Sequence, residues 1–118
     1  MNAYPQPGDR ILILREPYLS LILNGTKDLE LRALQYTPGR YWVGRNQLIY
    51  GQVSLGPPFR INSDRQLQDL FSRHQFPGQR LPYRRTFAFP IVDYRVVHPP
   101  IPYEHPRGAV GIVKYRPV

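Results

Sequence analysis

The stretch that most constrains the fold runs through residues 24–32, where an apolar segment ends abruptly and a charged one begins. Upstream of it, Glu16 and Pro17 are typical of a helix start. Proline fits the first helical position, and an acidic side chain suits the positive end of the helix dipole. The apolar side chains that follow would cover most of the helix surface, which predicts a buried helix: Tyr18, Leu19, Leu21, Ile22 and Leu23. Gly25 is typical of the left-handed residue that ends such a helix.

The pair Asn24-Gly25 is also a strong hairpin signal, so a strand is the alternative to this helix. Pro17 favours the helix, because a strand in a ladder needs the N–H that proline lacks. After Gly25 the pattern changes to alternation, with Leu29 and Leu31 on one face. The opposite face carries charge: Asp28, Glu30 and Arg32. This pattern predicts a strand with an apolar inner face and a charged outer face.

The rest of the chain is dominated by segments with strand composition. We predict strands at residues 11–14, 40–45, 48–55, 87–97 and 108–115. A second helix begins after Ser63, which forms a capping box with Gln66. The element order predicts an α+β, mainly β domain: a small barrel with two helices over residues 10–118, preceded by a flexible arm at residues 1–9.

Three proline or glycine positions refine this prediction. Gly51 lies inside a predicted strand and indicates a bulge or a close backbone approach. Pro90 lies inside another and must occupy an edge or a bulge. Residues 98–102 are rich in proline and are expected to form an extended connection.

The composition favours a polyanionic partner. The 118 residues carry 16 Lys and Arg against 8 Asp and Glu, a net charge of +8, together with 9 Tyr. Arginine forks and aromatic rings suit phosphates and unpaired bases, although the same charge could serve only solubility. With no Cys and three separated His, we expect neither a metal nor a cofactor. No apolar run is long enough to span a membrane, so we expect no membrane partner and an intracellular protein, cytoplasmic or nuclear.

The motif Gly25-x-Lys27-x-x-Glu30-x-Arg32, placed after a helix that contains proline, resembles the G-x-K-x-x-E-x-R signature of ASCH domains. These domains are members of the PUA-like superfamily. The resemblance covers residues 10–55 well and is looser beyond them. It implies a small PUA-like β-barrel in which this signature lines the ligand groove.

Within such a groove, Lys27 and Arg32 would meet phosphate or a base edge. Glu30 would orient them or accept from an exocyclic amine. The alternative is an ordinary ion pair on an exposed strand face. The predicted nucleic-acid-binding residues are Arg15, Lys27, Glu30, Arg32, Arg40, Arg84 and Arg85. The predicted partner is RNA or another single-stranded nucleic acid, with RNA favoured over DNA.

A second basic and aromatic cluster could hold the backbone and stack on bases. Its members are Tyr36, Arg40, Tyr41, Trp42, Arg80, Tyr83, Arg84 and Arg85. We expect Trp42 in the core, with its polar tip turned outward. For Arg84 and Arg85, a solvated loop and a phosphate contact remain open alternatives.

Catalysis is the alternative function. The resemblance includes small ASCH proteins that hydrolyse N4-acetylcytidine with a lysine and, three residues later, a threonine nucleophile. Lys27 matches that lysine, but Glu30 stands in the threonine's place, and a carboxylate cannot replace the attacking alkoxide. Other ASCH proteins imply a ribonuclease, for which the candidate residues are Lys27, Glu30 and Tyr18. A protein-interaction module docking through residues 99–106 is a third class, and the oligomeric state is left open.

Overall fold

The computed structural model describes residues 4–118, and one long strand organises it. This strand, β6, runs over Thr86–Pro102 and pairs with β2 and β5 near its start and with β4 along the rest. The other strands are β1 (Arg10–Ile13), β2 (Leu29–Arg32), β3 (Gly39–Arg45), β4 (Leu48–Leu55), β5 (Phe59–Ile61) and β7 (Ile112–Lys114). The helices are α1 (Tyr18–Leu23), α2 (Asp64–Asp69) and α3 (Phe71–His74).

The seven strands form one curled sheet in the order β2-β6-β4-β3-β1-β7, with β5 attached to β6. The β1–β3 pair is parallel and the other pairs are antiparallel. The prediction of a mainly β, barrel-like α+β fold is therefore confirmed. Residues 4–118 contain three helices where two were expected, because the second predicted helix breaks at Leu70 into α2 and α3.

The helix alternative for residues 18–23 is the one the structure adopts. Gly25 follows α1 with φ of 84°, and a Cβ built on it would come within 2.7 Å of the Tyr94 hydroxyl oxygen. Glycine is therefore needed for the conformation, whereas the exposed Tyr94 side chain could move to admit a Cβ. The backbone N–H of Lys27 then donates to the Leu21 carbonyl, which folds the chain back against α1 at the start of β2.

Side-chain alternation along β1 divides the apolar residues between two cores. Leu12 packs with Leu19 and Ile22 of α1 on one side of the sheet. Its neighbour Ile11 packs with Trp42 on the other side, which confirms that Trp42 is a core residue. A third core joins β2, β5, β6 and α2, and its buried members are Leu29, Leu31, Ile61, Leu67 and Ala88.

The predicted capping of the second helix is confirmed with one change of partner. The Ser63 hydroxyl oxygen accepts from the Gln66 backbone N–H at 3.1 Å. The Gln66 side-chain oxygen accepts from the N–H of Asn62 at 2.8 Å, rather than from that of Ser63. Both bonds satisfy N–H groups at the entrance to α2.

Gly51 marks a close backbone approach, as predicted. A Cβ there would come within 2.5 Å of the Arg95 carbonyl oxygen, and the β4–β6 register shifts next to it. The β4–β6 register shifts a second time where β4 pairs with residues 91–93 of β6, next to Pro90. Residues 98–102, predicted to be extended, polyproline-like chain beyond the strand at 87–97, are extended and continue β6, which pairs with β4 at Ile101 and Pro102.

Two terminal predictions need correction. The last strand, β7, is shorter than the predicted residues 108–115, and Val110, which falls within that predicted range, is 84% exposed. The chain at residues 6–9, expected to belong to a flexible arm, is hydrogen-bonded to the sheet: Gly8 donates to the Tyr115 carbonyl, and Tyr115 donates to that of Asp9. Residues 1–3 of that predicted arm lie outside the described residues.

Candidate functional site

The charged residues of the motif form a buried cluster at β2. Lys27 is 2% exposed and Glu30 is 6% exposed. The Lys27 ammonium lies 3.3 Å from one Glu30 carboxylate oxygen, and the Arg32 Nε donates to the other at 2.7 Å. The exposed face that the sequence predicted for Glu30 is thus wrong, and so is the alternative of an exposed ion pair. The strand alternation is present, but other segments of the chain cover its charged side.

Lys27 is saturated with acceptors. Its ammonium donates to the carbonyls of Leu29 and His74, both at 2.6 Å, and faces the Glu30 carboxylate. Burial lowers the pKa of Lys27, and the negative charge of Glu30 opposes that shift. Three acceptors match the three protons of an ammonium, whereas a neutral amine has only two. We therefore take Lys27 as charged and as the residue that fixes Glu30 in place.

His74 is the partner from α3, and its ring is also fixed. The ring accepts from the Phe76 backbone N–H at Nδ1, 2.9 Å away, so its proton lies on Nε2, which donates to the Leu67 carbonyl at 2.7 Å. Burial lowers the pKa of His74 and keeps it neutral. His74 therefore has a structural role next to Lys27.

Arg32 is the member of the cluster that keeps donors for a ligand. Its Nε donates to Glu30, and Nη2 donates to the Ile13 carbonyl at 2.8 Å. Its guanidinium carbon lies 5.9 Å from the centre of the Tyr36 ring. A guanidinium has five N–H donors, so three remain without a partner among residues 4–118. Arg32 is thus rigidly held and still able to donate.

The cluster opens onto a cleft of about 640 Å³, which we call the motif cleft. Its charged and aromatic lining consists of Arg15, Tyr18, Lys27, Glu30, Arg32 and Tyr83. Ile13, Phe76 and Gly111 add an apolar or backbone surface. The structure therefore brings five of the residues singled out at the motif, residues 15, 18, 27, 30 and 32, to one cleft, with Tyr83 from the second predicted cluster.

The second predicted cluster is divided. Arg84 and Arg85 are exposed and follow Tyr83 directly, although neither lines the motif cleft. Arg40 lies elsewhere, on β3, in a separate cleft of about 480 Å³. This second cleft, which we call the Arg10 cleft, is also lined by Arg10, Tyr41, Trp42, Gln52 and Lys114.

Several groups that complete the motif cleft were not found by sequence reasoning. The carbonyls of Ile13 and His74 hold Arg32 and Lys27, but every residue has a carbonyl, so the sequence carries no signal for them. Within the described part of the chain, no three His, Asp or Glu side chains are grouped closely enough to hold a metal ion. No helix among those residues has the length and apolar character needed to cross a membrane.

These features define a small, curled, barrel-like α+β domain with a charged cleft beside its first helix. Solved structures show that the chain has the ASCH-domain fold. The ASCH protein from Zymomonas mobilis aligns with a TM-score of 0.68 at 16% identity, over 92% of this chain and 88% of that one. A serine-to-alanine variant of the same protein gives 0.67 at 17% identity, over 96% and 92%. A tyrosine-to-phenylalanine variant gives 0.61 at 17% identity, over 92% and 91%. No family model and no curated protein matches the sequence.

Proposed function

We propose that this protein binds single-stranded nucleic acid, RNA in preference to DNA, through the motif cleft. The observation that carries the proposal is the Lys27–Glu30–Arg32 cluster, which is buried, internally paired and open on one side to a cleft with two tyrosines. A structural ion pair does not need a cleft beside it. An arginine held with spare donors at the edge of a cavity suits the edge of an unpaired base or a phosphate.

Each residue has a distinct part in this proposal. Arg32 contacts the ligand, Glu30 orients Arg32 and offers a carboxylate to an exocyclic amine, and Lys27 positions Glu30. Tyr83 is 39% exposed and Tyr18 is half-buried, so both rings can stack on a base. The exposed Arg15 provides a phosphate contact at the rim.

The preference for RNA rests on the shape of the site. The cleft is a concave pocket and not a ridge or helix that could enter a duplex groove. Proteins that read RNA sequence mainly bind splayed, unpaired bases by stacking and by hydrogen bonds to the base edges. Arg84 and Arg85, exposed beside Tyr83, would hold the backbone on either side of such a base.

A catalytic role is the second candidate, and one observation favours it. Burial lowers the pKa of Lys27, and shifted pKa values are frequent among groups that transfer protons. Glu30 and Tyr18 lie in the same cleft and could act in cleavage of RNA or hydrolysis of a modified nucleoside. The saturated hydrogen bonding of Lys27 makes binding the better-supported function.

The test is an amide NMR titration of the full chain with a mixed-sequence single-stranded RNA at two salt concentrations. We expect shifts in residues 27–32 and 82–85 that weaken at higher salt, because phosphate contacts release counterions. The same samples, run on a gel, would reveal any cleavage. If the amides of residues 27–32 do not shift at either salt concentration, the proposed interface is wrong.

A matched pair of variants makes the test specific. Tyr83→Ala should weaken RNA binding by about 1–3 kcal/mol, the usual contribution of a stacked base. Tyr94→Ala is the control, because Tyr94 is 46% exposed on β6 and does not line the cleft. Equal losses in the two variants would mean that stacking at the motif cleft does not contribute.

A further inference from the structure

We propose that the Arg10 cleft is a second phosphate-binding site, and that it holds a backbone phosphate of the RNA strand whose base enters the motif cleft. The inference rests on the proposed function in one respect, namely that the phosphate belongs to a bound RNA strand. The site itself rests on separate observations, which concern how the cations of this cleft are held.

Arg10 is fixed in position by uncharged partners. Its guanidinium donates to the Tyr41 hydroxyl and to the Arg40 carbonyl, both at 3.0 Å, and it lies 4.0 Å above the centre of the Tyr41 ring. The hydroxyl is itself held, because it donates to the Thr37 carbonyl at 2.7 Å. Within residues 4–118, Arg10 forms no salt bridge with a carboxylate. Its side chain is therefore preorganised while its charge is not neutralised.

A second cation lies directly opposite. Arg10 pairs with Lys114 in the β1–β7 ladder, and Lys114 also forms no salt bridge in the described part of the chain. Like charges directly opposite each other in antiparallel strands destabilise the pair. The arrangement becomes favourable when an anion lies between the two cations.

The remaining polar groups of the cleft agree with an anionic ligand. Asp9 is the acidic residue of the lining, and its carboxylate already accepts from the Trp42 indole N–H at 3.1 Å and from the Gln6 backbone N–H at 2.9 Å. Gln52 is buried at the cleft, with its side-chain oxygen occupied by Arg95 at 2.8 Å. Its amide nitrogen makes no hydrogen bond within residues 4–118 and is a further donor.

The lining indicates a phosphate group rather than a base. Tyr41 and Trp42 are both buried almost completely, so neither ring offers a face for stacking. The cleft thus supplies charge and N–H donors without a flat surface. The fixed guanidinium of Arg10 and the exposed ammonium of Lys114 suit phosphate oxygens.

The position of the cleft relative to the motif cleft assigns the phosphate to the same strand. Arg10 and Lys114 lie at one end of the β1–β7 pair, and Ile13 and Gly111, which line the motif cleft, lie at the other end. On each of the two chain segments, the residue that lines one cleft is three positions from the residue that lines the other. Three positions correspond to about 10 Å along a strand. A single RNA strand of a few nucleotides can bridge them.

The experiment compares Lys114→Gln with Arg65→Gln, which removes the same charge from the exposed face of α2. Binding of a single-stranded RNA of about eight nucleotides, within the site sizes known for small barrels, is followed between about 50 and 200 mM salt. We expect Lys114→Gln to reduce the slope of log affinity against log salt by about 0.7, the contribution of one phosphate contact to a single strand. Arg65→Gln should leave the slope unchanged.

Two further probes separate this inference from the proposed function. Inorganic phosphate should shift the amides of residues 10 and 114, and cytidine, which has a base and no phosphate, should shift only those of the motif cleft. If RNA binds but Lys114→Gln keeps the wild-type slope, the second site is wrong and the proposed function stands. If RNA does not bind and inorganic phosphate still shifts residues 10 and 114, the proposed function is wrong and the cleft binds a free phosphate. If neither binds, both proposals are wrong.

Discussion

The two clefts hold their cations in opposite ways. In the motif cleft, Lys27 and Arg32 share the buried carboxylate of Glu30, so one of the two positive charges is neutralised inside the protein. In the Arg10 cleft, Arg10 is held by a hydroxyl, a carbonyl and an aromatic ring, and its charge remains. The carboxylate-paired cations of the motif cleft provide geometry, whereas Arg10, which forms no salt bridge within residues 4–118, provides attraction for an anion. The first arrangement suits selection of a base, and the second suits retention of a backbone.

The largest difference between the clefts should appear in stability. Lys27→Met would leave the carbonyls of Leu29 and His74 without their donor and Glu30 with one cation fewer. We expect a loss of about 3 kcal/mol in the free energy of unfolding, measured with urea, as for other broken buried ion pairs. Lys114→Met removes the same charge from an exposed position and should change it by less than about 0.5 kcal/mol. Similar losses in both variants would contradict the contrast between the clefts.

Substitution of the shared carboxylate should have a smaller effect. Glu30→Gln keeps the shape and one acceptor oxygen but leaves Lys27 and Arg32 facing each other without a negative charge. We expect a loss of about 2 kcal/mol in the free energy of unfolding, which is typical of a hydrogen bond to a charged group. Asp9→Asn in the Arg10 cleft is the comparison, since Asp9 accepts from neutral donors and forms no ion pair in the described chain. A larger loss of stability in Asp9→Asn than in Glu30→Gln would contradict the view that the motif cleft, and not the Arg10 cleft, depends on a charged carboxylate.

The sequence predicted the local elements of the motif cleft well, and the reason is physical. The helix start at Pro17, the turn at Gly25 and the alternation of β2 each depend on neighbouring residues. The buried pairing of Glu30 depends on distant residues, because carbonyls of α3 and β1 hold Lys27 and Arg32 beside it. The Lys27 ammonium meets a carbonyl 47 residues away in the sequence, and any residue type would supply that carbonyl.

The division of the second predicted cluster between two places also could not be predicted from local sequence. Arg40 and Arg84 have the same chemistry, and nothing in their local sequence separates them. The strand order places β3 beside β1, which in turn pairs with β7, so Arg40 lies at the Arg10 cleft, whereas Arg84 follows Tyr83. The last strand was predicted from residue 108, but β7 starts only at Ile112.

The pH dependence of stability should reveal the buried ring of His74, the residue whose backbone carbonyl accepts from Lys27. Burial lowers the pKa of His74 below its ordinary 6.5, so the unfolded chain binds the proton more tightly than the folded one. Stability from this group is therefore full above pH 6.5 and declines as the pH falls from there towards the lowered pKa. The slope is at most about 1.4 kcal/mol per pH unit.

The measurement is urea unfolding of the wild type, His74→Gln and His98→Gln over that acidic range. His98 is exposed on β6, so His98→Gln should keep the wild-type decline. His74→Gln should be less stable at neutral pH and should show a shallower decline. If the decline disappears in His98→Gln instead, the titrating group is not the one beside Lys27.

The smallest expected effect tests whether the Arg10 cleft depends on a fixed arginine. Tyr41→Phe keeps the ring under Arg10 and removes the hydroxyl that Arg10 and Thr37 share. Burial raises the pKa of this hydroxyl, so it is protonated and able to donate at neutral pH. We expect a loss of about 1 kcal/mol in stability, typical of one hydrogen bond, and a weaker salt-dependent affinity for RNA.

Tyr103→Phe is the matched control for this last variant. Tyr103 is equally buried, and its hydroxyl bonds to His105 at 2.8 Å, outside both clefts. It should lose a similar amount of stability while keeping the RNA affinity of the wild type. If Tyr41→Phe also keeps the RNA affinity of the wild type, the Tyr41 ring alone positions Arg10. The hydroxyl is then not needed for RNA binding at the Arg10 cleft. If Tyr103→Phe loses RNA affinity to the same extent, the loss in both variants follows from reduced stability. The fixed position of Arg10 then makes no separate contribution to RNA binding.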